Sequence, residues 1–172
     1  MITTIQACAS IGTFLIFVIT AFLALRQLRL ANRSSQLAGL QAVSSHFNGA
    51  DFEKWFKFIL TELPIKMADR SFRESLGSNP IDRDVHLEIK LADLYEEVGV
   101  YAKYGVVSEM PLIEVLRGGP DTAWEALRAT VSLYREIWGP SYYRNFEYLA
   151  NRSRMFYGKL DPKRTSQRPA VT

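Results

Sequence analysis

The chain is poor in the residues that build disulfide and metal sites. It has one cysteine, Cys8, and two histidines, His46 and His86, among 172 residues. A single thiol excludes an intramolecular disulfide framework and a cysteine-based zinc site. Neither histidine has a second one nearby, so the helical His-Glu-x-x-His zinc pattern is absent as well. His86 has acidic and basic residues four positions away on either side, and we expect it on a solvated helix face.

Charge is missing from the first 25 residues of the chain. All 21 Lys+Arg and all 18 Asp+Glu follow Leu25. A helix of roughly 20 apolar residues crosses a hydrocarbon layer of about 30 Å, and a helix satisfies its own backbone groups there. We therefore predict a transmembrane span that begins at Ala7 and ends at Leu25. The alternative is a buried helix of a soluble protein.

The residues that flank this stretch set its orientation. Arg26, Arg29 and Arg33 follow it with no acidic residue before Asp51, and no Lys or Arg precedes it. A secretory signal peptide would have a basic segment first. Basic residues beside a span stay in the cytoplasm and bind anionic headgroups. We expect a single-pass protein of the cell inner membrane, with its N-terminus outside and its C-terminal domain cytoplasmic.

Small residues recur along one face of the predicted span. They are Ala9, Thr13, Thr20 and Ala24. Small residues at this spacing let two membrane helices approach closely. This face predicts self-association or docking on another membrane subunit, although small residues are also common in spans that do neither.

The rest of the chain is mildly acidic between two basic flanks. Residues 34–158 carry 14 basic and 17 acidic residues, whereas residues 159–168 carry four basic residues and Asp161. A nucleic-acid-binding module would need a basic stripe on the folded part. We therefore expect anionic lipid rather than nucleic acid as a partner.

Apolar residues recur at helical spacing throughout residues 26–160. Three-four spacing is clearest in two seams: Leu87, Leu91, Leu94, Val98, Tyr101; and Trp124, Leu127, Val131, Tyr134, Trp138. No stretch has the period of two that a strand requires. We predict an all-α fold, in which one N-terminal transmembrane helix continues into a cytoplasmic bundle of about five to six helices. The predicted parts are an anchor over residues 1–25, a juxtamembrane helix over 26–50, the bundle over 51–160 and a flexible basic tail over 161–172.

Helix boundaries are predicted from capping residues and prolines. Asp51 is expected to cap the helix after Asn48-Gly49, and Pro64 to end it. Asn79 and Pro80 have the types preferred at the N-cap and first position, so we expect the next long helix to begin there.

Four charged residues of the bundle are candidates for a site. Glu96 and Glu97 lie on one predicted helix, and Arg128 and Arg135, seven residues apart, share a face of another. We expect one glutamate to pair across the bundle with one of these arginines; the alternative is an anion or phosphate site. Ser44, Ser45 and Ser108 have no matching histidine and acid, so no catalytic set is evident.

Several short motifs, taken in order, resemble an uncharacterised family of bacterial single-span membrane proteins, known only as a domain of unknown function. They are Arg26-Gln27-Leu28-Arg29, Tyr95-Glu96-Glu97-Val98-Gly99 leading to Gly105, Trp124, Arg135, and Asn145-Phe146-Glu147-Tyr148-Leu149-Ala150. The resemblance covers most of the chain. It implies a membrane-tethered helical domain and supplies no reaction, ligand or catalytic residue.

These patterns favour a membrane-anchored interaction or adaptor protein that binds another protein or itself. The first alternative is a membrane-coupled sensor or effector, in stress or phage defence. The second is an enzyme acting on a lipid or membrane-near anion through Arg128, Arg135 and Glu96. We expect no cofactor and no metal.

Overall fold

The computed structural model describes residues 2–160, with side chains from residue 12 onward, and the predicted tail over 161–172 lies outside them. The described residues form eight helices and no strand, which confirms the all-α prediction. The helices are α1 Ile2–Phe47, α2 Ala50–Thr61, α3 Leu63–Lys66, α4 Arg70–Ser75, α5 Leu87–Lys103, α6 Glu109–Leu116, α7 Gly119–Trp138 and α8 Arg144–Leu160. The chain divides into two compact units, one ending at Ala38 and one beginning at Gly39.

The first unit is the N-terminal part of α1. Its apolar side chains are exposed on every side of the helix: Phe14, Phe17 and Phe22 are 67%, 70% and 66% exposed. By length and composition, this helix is able to cross a membrane, and none of its most apolar window is buried. A core helix of a soluble protein would be mostly covered by its own chain, which this one is not.

The second unit has a core built where α5, α7 and α8 meet. The rings of Tyr95 and Phe146 stack at 4.9 Å, and Trp124 meets Phe146 edge-on at 5.1 Å. Both predicted seams point inward, since Leu91, Val98, Leu127 and Val131 are buried. The seams are confirmed because three-four spacing puts one face of each helix in the core.

The predicted start of the long helix at Asn79 and Pro80 is wrong. α5 begins seven residues later than predicted, with His86 as its N-cap residue and Leu87 as its first residue. The Oδ1 atom of Asp82 accepts hydrogen bonds from the backbone N–H groups of Asp84 and Val85, which holds a local turn instead of a helix.

Two boundary predictions around α2 are also corrected. The N-cap residue of α2 is Gly49, and Asp51 lies inside the first turn, where a carboxylate favours the helix N-terminus. α2 ends at Thr61, before Pro64, and Pro64 lies in the first turn of α3, where the missing N–H of proline costs nothing.

Candidate functional site

The residues predicted at the membrane all lie on α1. Thr13, Thr20 and Ala24 are exposed, as are Arg26, Arg29 and Arg33. Ala7 and Ala9 lie in the part of α1 whose side chains are not described. The arginines directly follow the exposed apolar stretch, as a headgroup contact requires.

The four charged candidates in the bundle do not form one site. Arg128 pairs with Glu125 on its own helix, with Nη2 2.8 Å from Oε1. Arg135 pairs with Glu147 of α8 at 2.7 Å and covers the ring of Trp124 at 5.6 Å.

The expected pairing of Glu96 or Glu97 with one of these arginines is therefore wrong. Glu97 is exposed and accepts a hydrogen bond from the hydroxyl of Tyr101 on the next turn. The shared helix face of Arg128 and Arg135 did not determine their partners, because Glu125 on α7 and Glu147 on α8 lie within ion-pair distance of them.

Glu96 is a cap for α8. Its carboxylate accepts hydrogen bonds from the backbone N–H groups of Asn145 and Phe146, at 2.9 and 2.7 Å, and from the Asn145 side-chain amide at 2.7 Å. The first N–H groups of a helix have no partner within it, and a negative charge there is favourable. Glu96 thus fixes the start of α8 against α5.

Gly99 lies one turn after Glu96 and allows the backbones of α5 and α8 to approach each other closely. A Cβ atom built on Gly99 would collide with the backbone carbonyl of Asn145. Only glycine permits this approach of α5 and α8 without moving one helix.

A buried polar chain joins α4 to the start of α5. His86 and Glu88 are each 1% exposed. His86 Nε2 lies 2.8 Å from the hydroxyl oxygen of Ser75, and Nδ1 lies 2.7 Å from Glu88 Oε1. The expected solvated position of His86 is wrong, because the loop before α5 turns the ring inward against Phe72, 4.5 Å away.

Serine, imidazole and carboxylate follow one another here in the order that hydrolases use. The Ser75 hydroxyl, however, donates to the carbonyl of Phe72 at 2.7 Å. The backbone N–H groups of Leu76, Gly77 and Ser78 bond to turn carbonyls, so these amides are not available to stabilise an oxyanion. The geometry favours a structural hydrogen-bond chain over acyl transfer.

Burial is the main cause of the pKa shifts in and around these hydrogen-bonded side chains. Desolvation raises the pKa of Glu88, and the hydrogen bond from His86 opposes that rise. Within the described residues, the second carboxylate oxygen of Glu88 and the hydroxyl of Tyr134 are buried without a hydrogen-bond partner. Burial also raises the pKa of Tyr134, and the nearby charge of Glu88 adds to the effect.

Sequence reasoning missed Ser75 and Glu88 altogether. Their only sequence signal is a histidine two residues before a glutamate, a pattern too common to identify a site. The hydrogen bonds between these side chains also require the loop between α4 and α5 to bring His86 next to Ser75, and the path of that loop depends on tertiary packing.

Two clefts of the second unit share a wall formed by the ion pair of Arg83 and Asp93. One, of about 630 Å³, includes Trp55 and Lys90. The other, of about 400 Å³, includes the aromatic rings of Trp138 and Tyr142, and there Tyr143 donates to Asp93 at 3.1 Å. Among the described residues, no group of three or more His, Cys, Asp or Glu side chains is placed to hold a metal ion.

Compared with models of known families, with curated proteins and with solved structures, the chain matches none. Two of the sequence motifs named above contact each other in the structure. Tyr95, Glu96 and Gly99 of the first contact Asn145 and Phe146 of the second. Both motifs therefore describe one helix contact, between α5 and α8.

Proposed function

We propose that this protein is a membrane-anchored interaction protein, in which a single span holds a helical domain at the membrane surface. The exposed apolar stretch of α1 carries the proposal. A helix whose phenylalanines are two-thirds exposed needs an apolar environment that the chain itself does not provide.

The basic residues after the stretch define the proposed placement. Arg26, Arg29 and Arg33 lie within two turns of its end and carry three positive charges. By the positive-inside rule, the domain lies in the cytoplasm at the inner membrane of a bacterial cell. The arginines bind anionic headgroups there.

The charged groups of the domain support binding rather than catalysis. Those that a catalyst would use are committed to structure: Glu96 caps α8, Arg135 pairs with Glu147, and Arg154 pairs with Asp121 at 2.8 Å. The domain is proposed to bind another protein or a second copy of this chain.

The anchor is tested with two matched substitutions in α1. Phe17 and Leu37 are 70% and 67% exposed, but only Phe17 lies in the proposed span. An arginine at a span centre costs about 2.5–3.5 kcal/mol of insertion free energy. Phe17→Arg should release protein from membranes washed with alkaline carbonate, and Leu37→Arg should not. Retention of Phe17→Arg at the level of the unchanged chain would refute the anchor.

The interaction is tested by native mass spectrometry of the intact chain, extracted from its own membrane in mild detergent. A fixed ratio of other subunits, or a defined homo-oligomer, is expected. A bare monomer at every detergent concentration would refute the interaction and leave the anchor standing. A cytoplasm-dependent reporter fused after residue 172 tests the orientation separately.

A further inference from the structure

An apolar groove of about 280 Å³ lies between α6 and α8. Met110 and Ile113 of α6 form one wall, and Met155, Phe156 and Leu160 of α8 form the other. Met110, Met155 and Leu160 are 49%, 54% and 66% exposed. These three large apolar side chains border one groove and so form a contiguous apolar patch, whereas single exposed apolar residues need no partner.

Basic groups border the groove. Arg152 forms an ion pair with Glu109, which also accepts a hydrogen bond from Tyr148, so the one carboxylate on the rim is neutralised. Within the described residues, no ion pair involves Lys159. The charged residues that line the groove, Glu109, Arg152 and Lys159, therefore carry a net positive charge.

We propose that the α6–α8 groove docks on the anionic lipid surface to which α1 anchors the chain. This inference rests on the proposed anchor and adds a second membrane contact made by the domain. Exposed methionine and leucine beside an exposed lysine have the composition of an interfacial contact, in which apolar groups enter the acyl boundary and the ammonium group binds phosphate.

The anchor makes lipid the favoured occupant. A tethered domain meets the membrane surface at a high effective concentration, so even a weak apolar groove is occupied there. Each basic residue near an anionic surface contributes about five-fold in binding.

The test places an environment-sensitive fluorophore in the groove of the full chain. In a Cys8→Ser background, Met110→Cys and Met155→Cys carry the label, and Val115→Cys, on another face of α6 and 43% exposed, is the matched control. The proteins are reconstituted into vesicles of phosphatidylglycerol and phosphatidylcholine. Labels at 110 and 155 should shift to the blue and be quenched by lipids with a headgroup nitroxide, and the label at 115 should do neither.

Two outcomes would overturn the proposal. If all three labels respond alike, the groove is not the face through which the domain docks on lipid. If labels 110 and 155 shift without lipid quenching, and the shift grows with the protein-to-lipid ratio, a second copy occupies the groove. Carbonate washing of the same vesicles separates either failure from loss of the anchor. Lys159→Gln should weaken the quenching about five-fold, and only in vesicles that contain phosphatidylglycerol.

Discussion

The two units of this chain contain similar apolar side chains, but the first unit leaves them exposed and the second buries most of them in a core. Phe17 in α1 is 70% exposed, whereas Phe146 in α8 is fully buried among the rings of Tyr95 and Trp124. The second unit supplies its own apolar environment by packing helices together. The first has none, so its environment must come from outside the chain. Apolar composition alone does not distinguish a helix that its own fold covers from one that the fold leaves exposed; the exposed fraction of the side chains does.

Two glycines sharpen this comparison: Gly12 lies within a helix of the first unit and Gly99 within a helix of the second. A Cβ on Gly12 would meet no atom within 4 Å, whereas one on Gly99 would strike the backbone of Asn145. Gly99→Ala should lower the free energy of unfolding of the second unit by about 1–3 kcal/mol, because overpacking forces α5 and α8 apart. Gly12→Ala should leave it unchanged.

Tryptophan fluorescence in urea measures this effect in detergent, since Trp55, Trp124 and Trp138 all lie in the second unit. Equal midpoints for Gly99→Ala and Gly12→Ala would contradict the close approach of α5 and α8.

The next largest effect is expected from the cap of α8. Glu96→Gln removes the charge that three donors of Asn145 and Phe146 share, and should cost about 1–2 kcal/mol. Glu97→Gln is the matched control, because Glu97 is exposed and accepts only from Tyr101. The same urea titration compares them, and a cost at position 97 as large as that at 96 would argue against the capping role.

The smallest effect concerns pH and the buried Glu88. Its pKa is raised in the folded state, so its contribution to stability is complete below its unfolded pKa and is lost as pH rises through the folded value. The stability of the unchanged chain should therefore fall relative to Glu88→Gln as pH rises across that window. Urea midpoints at a series of pH values give this difference. A difference that stays constant with pH, or that grows in favour of the unchanged chain, would show that burial does not raise the pKa of Glu88.

Local patterns predicted the helices well and their partners poorly. The seams of α5 and α7 follow from spacing alone, so Leu91 and Val131 were placed correctly. The start of α5 was misplaced because Asp82 holds a competing turn and His86 gains burial, which only the folded chain reveals. Arg128 and Arg135 found other carboxylates for the same reason. The candidate polar chain of Ser75, His86 and Glu88 spans a helix, a loop and the next helix, and no spacing rule connects them.

The contact between Glu96 and α8 has a consequence for how the chain is made. It joins residues 49 positions apart, and α1 precedes both of them. On the ribosome, the apolar stretch of α1 is therefore complete long before α5 can meet its main partner. Until α8 emerges, Gly99 and the face of the Tyr95 ring that stacks on Phe146 lack their partners. The apolar stretch of α1 is thus exposed before the second unit can fold, because the core of that unit closes only once α8 has emerged.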